Sequence, residues 1–248
     1  MKKMIVGTNI EKSFGQEKVL RNVSVEIAPG EFVSIMGPSG SGKTTLMFAL
    51  SGMDEIDAGS VQFDGKELAA LSENALADLR RKQMGFVFQQ PTLLKNLNVL
   101  DNIVLPAQKG NEKQAKALKE KGQELMKRMG IAGLEQRDIT QVSGGQLQRA
   151  GICRALMGDP QIIFGDEPTG ALNSKSAQEI MDILAEINQQ ETAVCLVTHD
   201  AKVAAQTQRV LFMSDGQIVS ELHFSPDDKQ NLEERMVKVT EKMREIEI

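Results

Sequence analysis

An α/β fold around a largely parallel sheet is what this sequence predicts, on three observations. Short apolar runs alternate with longer stretches of helical periodicity, the pattern left by strands joined through crossover helices. A Gly-rich turn at residues 37–42 is entered from one such run and left into a helical stretch, which makes a strand-loop-helix unit. Polar residues able to do chemistry follow directly on other apolar runs, and in doubly wound sheets ligands gather at the carboxyl ends of strands.

In chain order, residues 32–36 read as the buried strand entering the turn and 45–51 as the helix leaving it. Residues 85–88, 162–164 and 193–197 are three further buried-strand candidates. Between Gln90 and Pro160 the strand signals fade, and Lys/Glu-rich helical sequence takes over, most clearly at 111–129. This reads as an inserted helical subdomain over about 91–157. Residues 210–213 and 217–220 flank Asp215-Gly216, a pair suited to the positive φ angles of a two-residue hairpin. The catalytic domain is expected to span 1–224, leaving 225–248 as a C-terminal helical extension.

That extension opens on Ser225-Pro226-Asp227-Asp228, which has the form of a helix start: a capping serine, proline in the first turn and acids near the positive end of the dipole. Leu232, Met236, Val239, Met243 and Ile246 then recur at steps of four and three residues on an otherwise charged helix. Such a stripe suits packing on the chain's own domain, and it equally suits a partner or dimer contact.

The 248 residues suit one large domain, or one domain with an insertion. With 41% apolar and 25% charged residues, the chain has ordinary globular usage, which argues against disorder. A net charge of −5 argues against wholesale nucleic-acid binding, so no nucleic-acid partner is expected. The two cysteines, Cys153 and Cys195, match no metal or redox spacing and read as buried reduced thiols of a cytoplasmic protein. The apolar stretch after Met1-Lys2-Lys3 ends by Gly7, short of the ~7–15 residues of a signal core. No apolar run approaches the ~18 residues of a spanning helix, so any membrane role is expected to come through a partner chain.

Two motifs carry the chemistry. Gly37-Pro38-Ser39-Gly40-Ser41-Gly42-Lys43-Thr44, followed by Thr45, fits G-x-x-x-x-G-K-[ST] in the strand-to-helix context that motif requires. Its glycines let backbone N–H groups turn toward phosphate oxygens. Lys43 reaches the β and γ phosphates of ATP, and Thr44 offers its hydroxyl to Mg²⁺. Asp166-Glu167 emerges from the apolar run at 162–165. In nucleotide hydrolysis such a pair divides the work, Asp166 holding Mg²⁺ through water and Glu167 acting as general base.

Val142-Ser143-Gly144-Gly145-Gln146 resembles the signature of the ABC ATPase family, whose first residue is usually leucine. Over residues 1 to about 224 the other family elements fall in order. Phe14 matches the adenine-stacking aromatic, Gln89 the glutamine that links Mg²⁺ and water to the membrane partner, and His199 the switch histidine at the γ-phosphate. Taken singly, Phe14 also reads as a core aromatic, Gln89 as a loop amide and His199 as a strand-end histidine. Arg149 and Arg154, just past the signature, read as braces rather than substrate contacts.

The resemblance implies a P-loop NTPase with a RecA-like core, an antiparallel β-subdomain and the inserted helical subdomain. It also implies a head-to-tail homodimer in which each ATP meets Ser143, Gly144, Gly145 and Gln146 of the second subunit. Asn173 departs from the family pattern, standing where the dimer-crossing loop usually has aspartate.

Three roles compete for the machine: powering a separate membrane permease, acting on nucleic acid or ribosomes, and driving a signalling complex of the cell-division type. The second usually needs two cassettes in one chain or a long coiled coil, and this sequence has neither. Residues 79–89, Leu93-Leu94 and residues 102–106 are similar to the lipoprotein-release and macrolide-export subfamily. The segment GQIVSELHF at 216–224, with the extra C-terminal helix, is more similar to its branch that resists antimicrobial peptides such as bacitracin. The expected place is the cytoplasmic face of the membrane, held by a permease of the cell-division or macrolide-export type.

Overall fold

The computed structural model describes residues 3–110, 112–224 and 231–246. It comprises two compact units, residues 1–77 with 193–248, and residues 78–192. The first begins with β1 (Ile5–Phe14), β2 (Glu17–Ile27), β3 (Phe32–Met36), α1 (Lys43–Leu50), β4 (Ala58–Phe63) and β5 (Lys66–Glu67). α2 (Glu73–Gln83) then leads into the second unit, which holds β6 (Met84–Phe88), α3 (Val99–Gln108), α4 (Ala115–Arg128), α5 (Gly144–Leu156), β7 (Ile162–Asp166) and α6 (Ser174–Gln189). The chain returns to the first unit with β8 (Ala193–Thr198), α7 (Ala201–Ala204), β9 (Arg209–Ser214), β10 (Gln217–His223) and α8 (Leu232–Glu245).

Within the first unit, β2-β1-β4-β5 form an antiparallel sheet, the β-subdomain that the resemblance implied. Leu20, Val23, Val25 and Ile27 of β2 are buried and separated by exposed residues, as expected of a strand with one face in water. β3 lies between β8 and β9, parallel to both, and β10 closes that edge antiparallel to β9. Every residue of β3 and β8 is buried, Ser34 and Thr198 included, so neither strand alternates between buried and exposed positions. The β9–β10 turn has φ of 47° at Asp215 and 77° at Gly216, the left-handed pair that the sequence suggested.

In the second unit β6 and β7 pair in parallel from Met84↔Ile162 to Phe88↔Asp166. β7 therefore runs two residues beyond the apolar stretch at 162–164, and Asp166 still belongs to the ladder. α4 (Ala115–Arg128), behind a 3-10 turn at Glu112–Gln114, falls in the Lys/Glu-rich stretch that read as helical.

The C-terminal stripe packs on its own unit. Val239 is fully buried with Met36, Ala204, Ala205, Val210, Phe212 and Phe224, flanked by Leu232, Met236, Met243 and Ile246. The helix start expected at Ser225-Pro226-Asp227-Asp228 lies outside the described residues. Within them α8 starts at Leu232, where the side chain of the capping residue Asn231 accepts the Glu234 N–H at 2.9 Å.

Both cysteines are free and buried. Burial pushes each thiol from an ordinary 9.0 up to about 12, and the Glu31 carboxylate adds to the rise at Cys195. An unfolded chain releases these protons from about pH 9 and the folded chain only near 12, so the unfolded state binds fewer protons between those values. Stability is expected to fall as pH rises through that window, by about 1.4 kcal/mol per pH unit per thiol. Urea unfolding at stepped alkaline pH measures the slope. Alkylation of the folded protein at pH 8 should be slow for the same reason, and fast once urea opens it.

Candidate functional site

In each unit, paired parallel strands end in register, and the residues that follow are the chemical ones. In the first unit Met36 of β3 pairs with Thr198 of β8, so the next residues out are Gly37 and His199. In the second, Phe88 of β6 pairs with Asp166 of β7, so the next are Gln89 and Glu167. A Gly-rich loop and a histidine stand at one pair of strand ends, an amide and a carboxylate at the other.

The loop at 37–42 is shaped by close approach. A Cβ on Gly37 would lie 2.1 Å from the carbonyl oxygen of Met213, so only glycine lets the loop cross β9 there. Gly42 caps α1 with φ of 96°. The hairpin turn braces the loop from below, Gly216 N–H donating to Ser41 O at 3.2 Å and Arg21 N–H to Gly216 O at 2.9 Å. Lys43 is mostly buried, and its Nζ bends back to the Pro38 carbonyl at 2.7 Å, over the loop's mouth. The N–H groups of Lys43, Thr44 and Thr45 precede the first bond of the helix, Leu46 N–H to Gly42 O. They therefore sit at the positive end of α1, where anions bind.

The fit to a triphosphate has a further sign. Ser41 Oγ is buried without a hydrogen-bond partner among the described residues, and beside it a Cβ on Gly40 would meet none of them within 4 Å. A buried hydroxyl next to open space, ringed by a lysine and a helix start, suits phosphate oxygen.

At the other strand ends, Glu167 has φ of 46°, a left-handed conformation that it shares with turn residues such as Asp215. Gly170 N–H donates to Glu167 O at 3.0 Å and turns the chain back under the carboxylate. A Cβ on Gly170 would meet Gln89 Nε2 at 2.9 Å and Glu167 Oε2 at 3.2 Å, so the two side chains converge above this glycine. An acceptor and an amide close together can orient one water molecule.

Ser143 caps α5 in a capping box: its Oγ accepts the Gln146 N–H at 3.4 Å, and Gln146 Oε1 accepts the Ser143 N–H at 3.0 Å. The hydroxyl proton remains available to an outside acceptor. Asn173 caps α6, its amide oxygen accepting the Ser176 N–H at 2.9 Å. The uncharged residue at this position thus serves the helix as aspartate would. Phe14 is 53% exposed at the end of β1, which rules out a core role.

The structure adds residues that the sequence reading left without a role. Gln148, buried in α5, donates to Phe88 O at 2.9 Å and ties the signature helix to the strand end before Gln89. Its spacing from Gly151 and Ile152 places it on the buried face of α5, a signal present in the sequence. Arg154 and Arg149 act as the braces that their place past the signature suggested: Arg154 donates to Pro91 O at 2.7 Å and Thr92 O at 3.0 Å, after Gln89, and Arg149 bonds Met129 O and Glu179. Buried Asn102 bonds the backbone of Leu94, Leu97 and Asn98 and holds the same loop farther along.

Comparison with known proteins agrees with this geometry. The ABC transporter family model matches residues 20–170. The chain belongs to the ABC transporter family. As an ABC cassette it binds ATP and hydrolyses it. It is 42% identical over 232 residues, covering 92% of this chain and 91% of the other, to the bacitracin export ATP-binding protein BceA of Halalkalibacterium halodurans. It is 46% identical over 202 residues to a probable export ATP-binding/permease protein MacB of Pseudomonas entomophila. That match covers 82% of this cassette but only 30% of the longer protein. Among solved structures, the dimeric post-hydrolysis state of the cassette MJ0796 with ADP and Pi superposes with a TM-score of 0.81 at 35% identity, covering 90% of this chain and 99% of that one. Among the described residues, no helix is long and apolar enough to cross a membrane.

Proposed function

We propose that the cassette works as a head-to-tail homodimer whose ATP hydrolysis drives a separate integral membrane permease, removing or exporting antimicrobial peptides or related amphiphiles. The observation that carries this reading is the match along almost the full length of both chains to a bacitracin export ATP-binding protein that is itself a cassette-sized chain. The macrolide-export relatives are about three times longer, and their names join the ATP-binding and permease parts. On this reading the protein is peripheral, at the cytoplasmic face, held there by its permease. Residues 1–224 form the ATP-binding domain with a helical insertion at about 91–157, and 225–248 form its extension.

The chemical roles follow from the residue types and their settings. The loop at 37–42, with Lys43, Thr44 and Thr45, holds the triphosphate, and Phe14 stacks on adenine. Glu167 accepts the proton of the attacking water, and the Gln89 amide fixes that water's orientation. His199 donates to a γ-phosphate oxygen. Ser143, Gly144, Gly145 and Gln146 present a hydroxyl and the start of a helix to the ATP of the partner subunit. The Thr44 hydroxyl, the Gln89 amide oxygen and the Asp166 carboxylate are hard oxygen donors suited to Mg²⁺. The ion would neutralise charge on the β and γ phosphates.

The test is a pull-down of tagged Glu167→Gln protein with ATP from detergent-solubilised native membranes. The expected companion is a permease with few spanning helices and a large external domain. Recovery of a lipoprotein-release or cell-division partner would move the function to those systems. Recovery of ribosomal material alone would overturn the permease reading.

A further inference from the structure

We propose that Lys12 is the positioning residue of the adenine platform, its ammonium group backing the Phe14 ring and holding that ring's outer face ready for the base of ATP. This rests on the reading of Phe14 as the base-stacking residue.

Three observations in the first unit carry it. The Lys12 side chain is only 12% exposed, unusual for a lysine near a strand end, and its Nζ lies 5.2 Å from the centroid of the Phe14 ring. Ordering a long side chain costs rotamer entropy, which nothing requires of a solubilising lysine. The ammonium group is fixed by the Asp54 carboxylate at 3.2 Å and the Glu55 carbonyl oxygen at 2.6 Å. Its one charged partner and one carbonyl leave the face of an aromatic ring as its third contact.

The strand itself is bent for the purpose. β1 shifts register against β2 between Ile10 and Lys12 and again between Lys12 and Ser13, and irregularities of this kind re-aim side chains. Asp57 clamps the re-aimed segment, its carboxylate accepting the Ser13 N–H at 2.6 Å while its own N–H donates to Glu11 O at 2.8 Å.

The residues doing the holding come from the segment that leaves the phosphate-loop helix. Met53 and Asp54 N–H both donate to Phe48 O in α1, at 2.9 and 3.3 Å. Helix α1 begins at the phosphate loop, and the 53–57 segment after it grips Lys12 and Ser13. The base end and the phosphate end of one nucleotide are thereby referenced to a single helix. A ring locked by a cation on its inner face needs no reordering when a base stacks on the outer one.

Binding of ATP and of inorganic tripolyphosphate to the purified full chain, measured by titration calorimetry, tests the proposal. Lys12→Gln is expected to weaken ATP about three- to tenfold and to change tripolyphosphate less than twofold, with Lys12→Arg restoring ATP affinity. In a Phe14→Ala background, Lys12→Gln should weaken ATP no further. Asp54→Asn, which keeps the lysine and loosens its anchor, should weaken ATP in the same direction. Equal weakening of both ligands by Lys12→Gln would assign the lysine to the phosphates and overturn the proposal. Unchanged ATP affinity in Lys12→Gln beside weakened affinity in Phe14→Ala would overturn it and leave the platform standing. Undiminished ATP affinity in Phe14→Ala would remove the platform reading itself.

Discussion

Glutamine in place of Glu167 will stop steady ATP turnover, lowering it by about 10²–10⁴-fold, while ATP binding survives. The substitution keeps the size of the side chain and a hydrogen-bonding end above Gly170, where Gln89 and Glu167 converge. It removes the one group there able to take a proton. Phosphate release reads the rate, and gel filtration with ATP should show a dimer that persists because its adhesive is not cleaved. A variant that turns over ATP at the wild-type rate would take Glu167 out of the base role.

Alanine in place of Gly37 should be nearly as severe, by a different route. The added methyl would lie 2.1 Å from Met213 O and 2.8 Å from Ser41 Oγ. Met213 cannot retreat, because β9 is hydrogen-bonded to β3 on one side and β10 on the other. The loop must therefore lift, and its N–H groups leave the positions that suit phosphate. We expect ATP affinity to fall by about 100-fold or more, with a stability loss of about 1–3 kcal/mol from the overpacking. Calorimetric titration and thermal unfolding separate the two effects. Near-normal ATP affinity would show that the loop tolerates displacement.

Much of this machinery was legible because it is written in short contiguous segments. The phosphate loop announces itself by composition, and β3 and β8, buried on every residue, read as mostly apolar runs. The antiparallel sheet was legible only through the family resemblance, because repeated register shifts in β1 break the alternation that marks a half-buried strand. Gln148, Asn102 and Lys12 stayed without a role for a related reason. Each acts on a backbone or ring brought to it by folding, and a polar residue among polar neighbours carries no local mark of its partner. The stripe on α8 was visible, but its choice between its own domain and a partner depended on Met36 and Phe212, far away in the chain.

The strand that delivers the phosphate loop, β3, is held on both sides by strands from the far end of the chain: Phe32 pairs with Val194 and Val33 with Arg209. Val239 of the last helix then covers Met36, the residue before the loop. During synthesis the loop therefore leaves the ribosome before its flanking strands, β8 and β9, are made. Such distant pairing makes for slow folding and an exposed apolar strand in the interval. A nascent or C-terminally shortened chain would carry the complete ATP-binding motif without the support that shapes it, so nucleotide capture becomes a property of the finished protein.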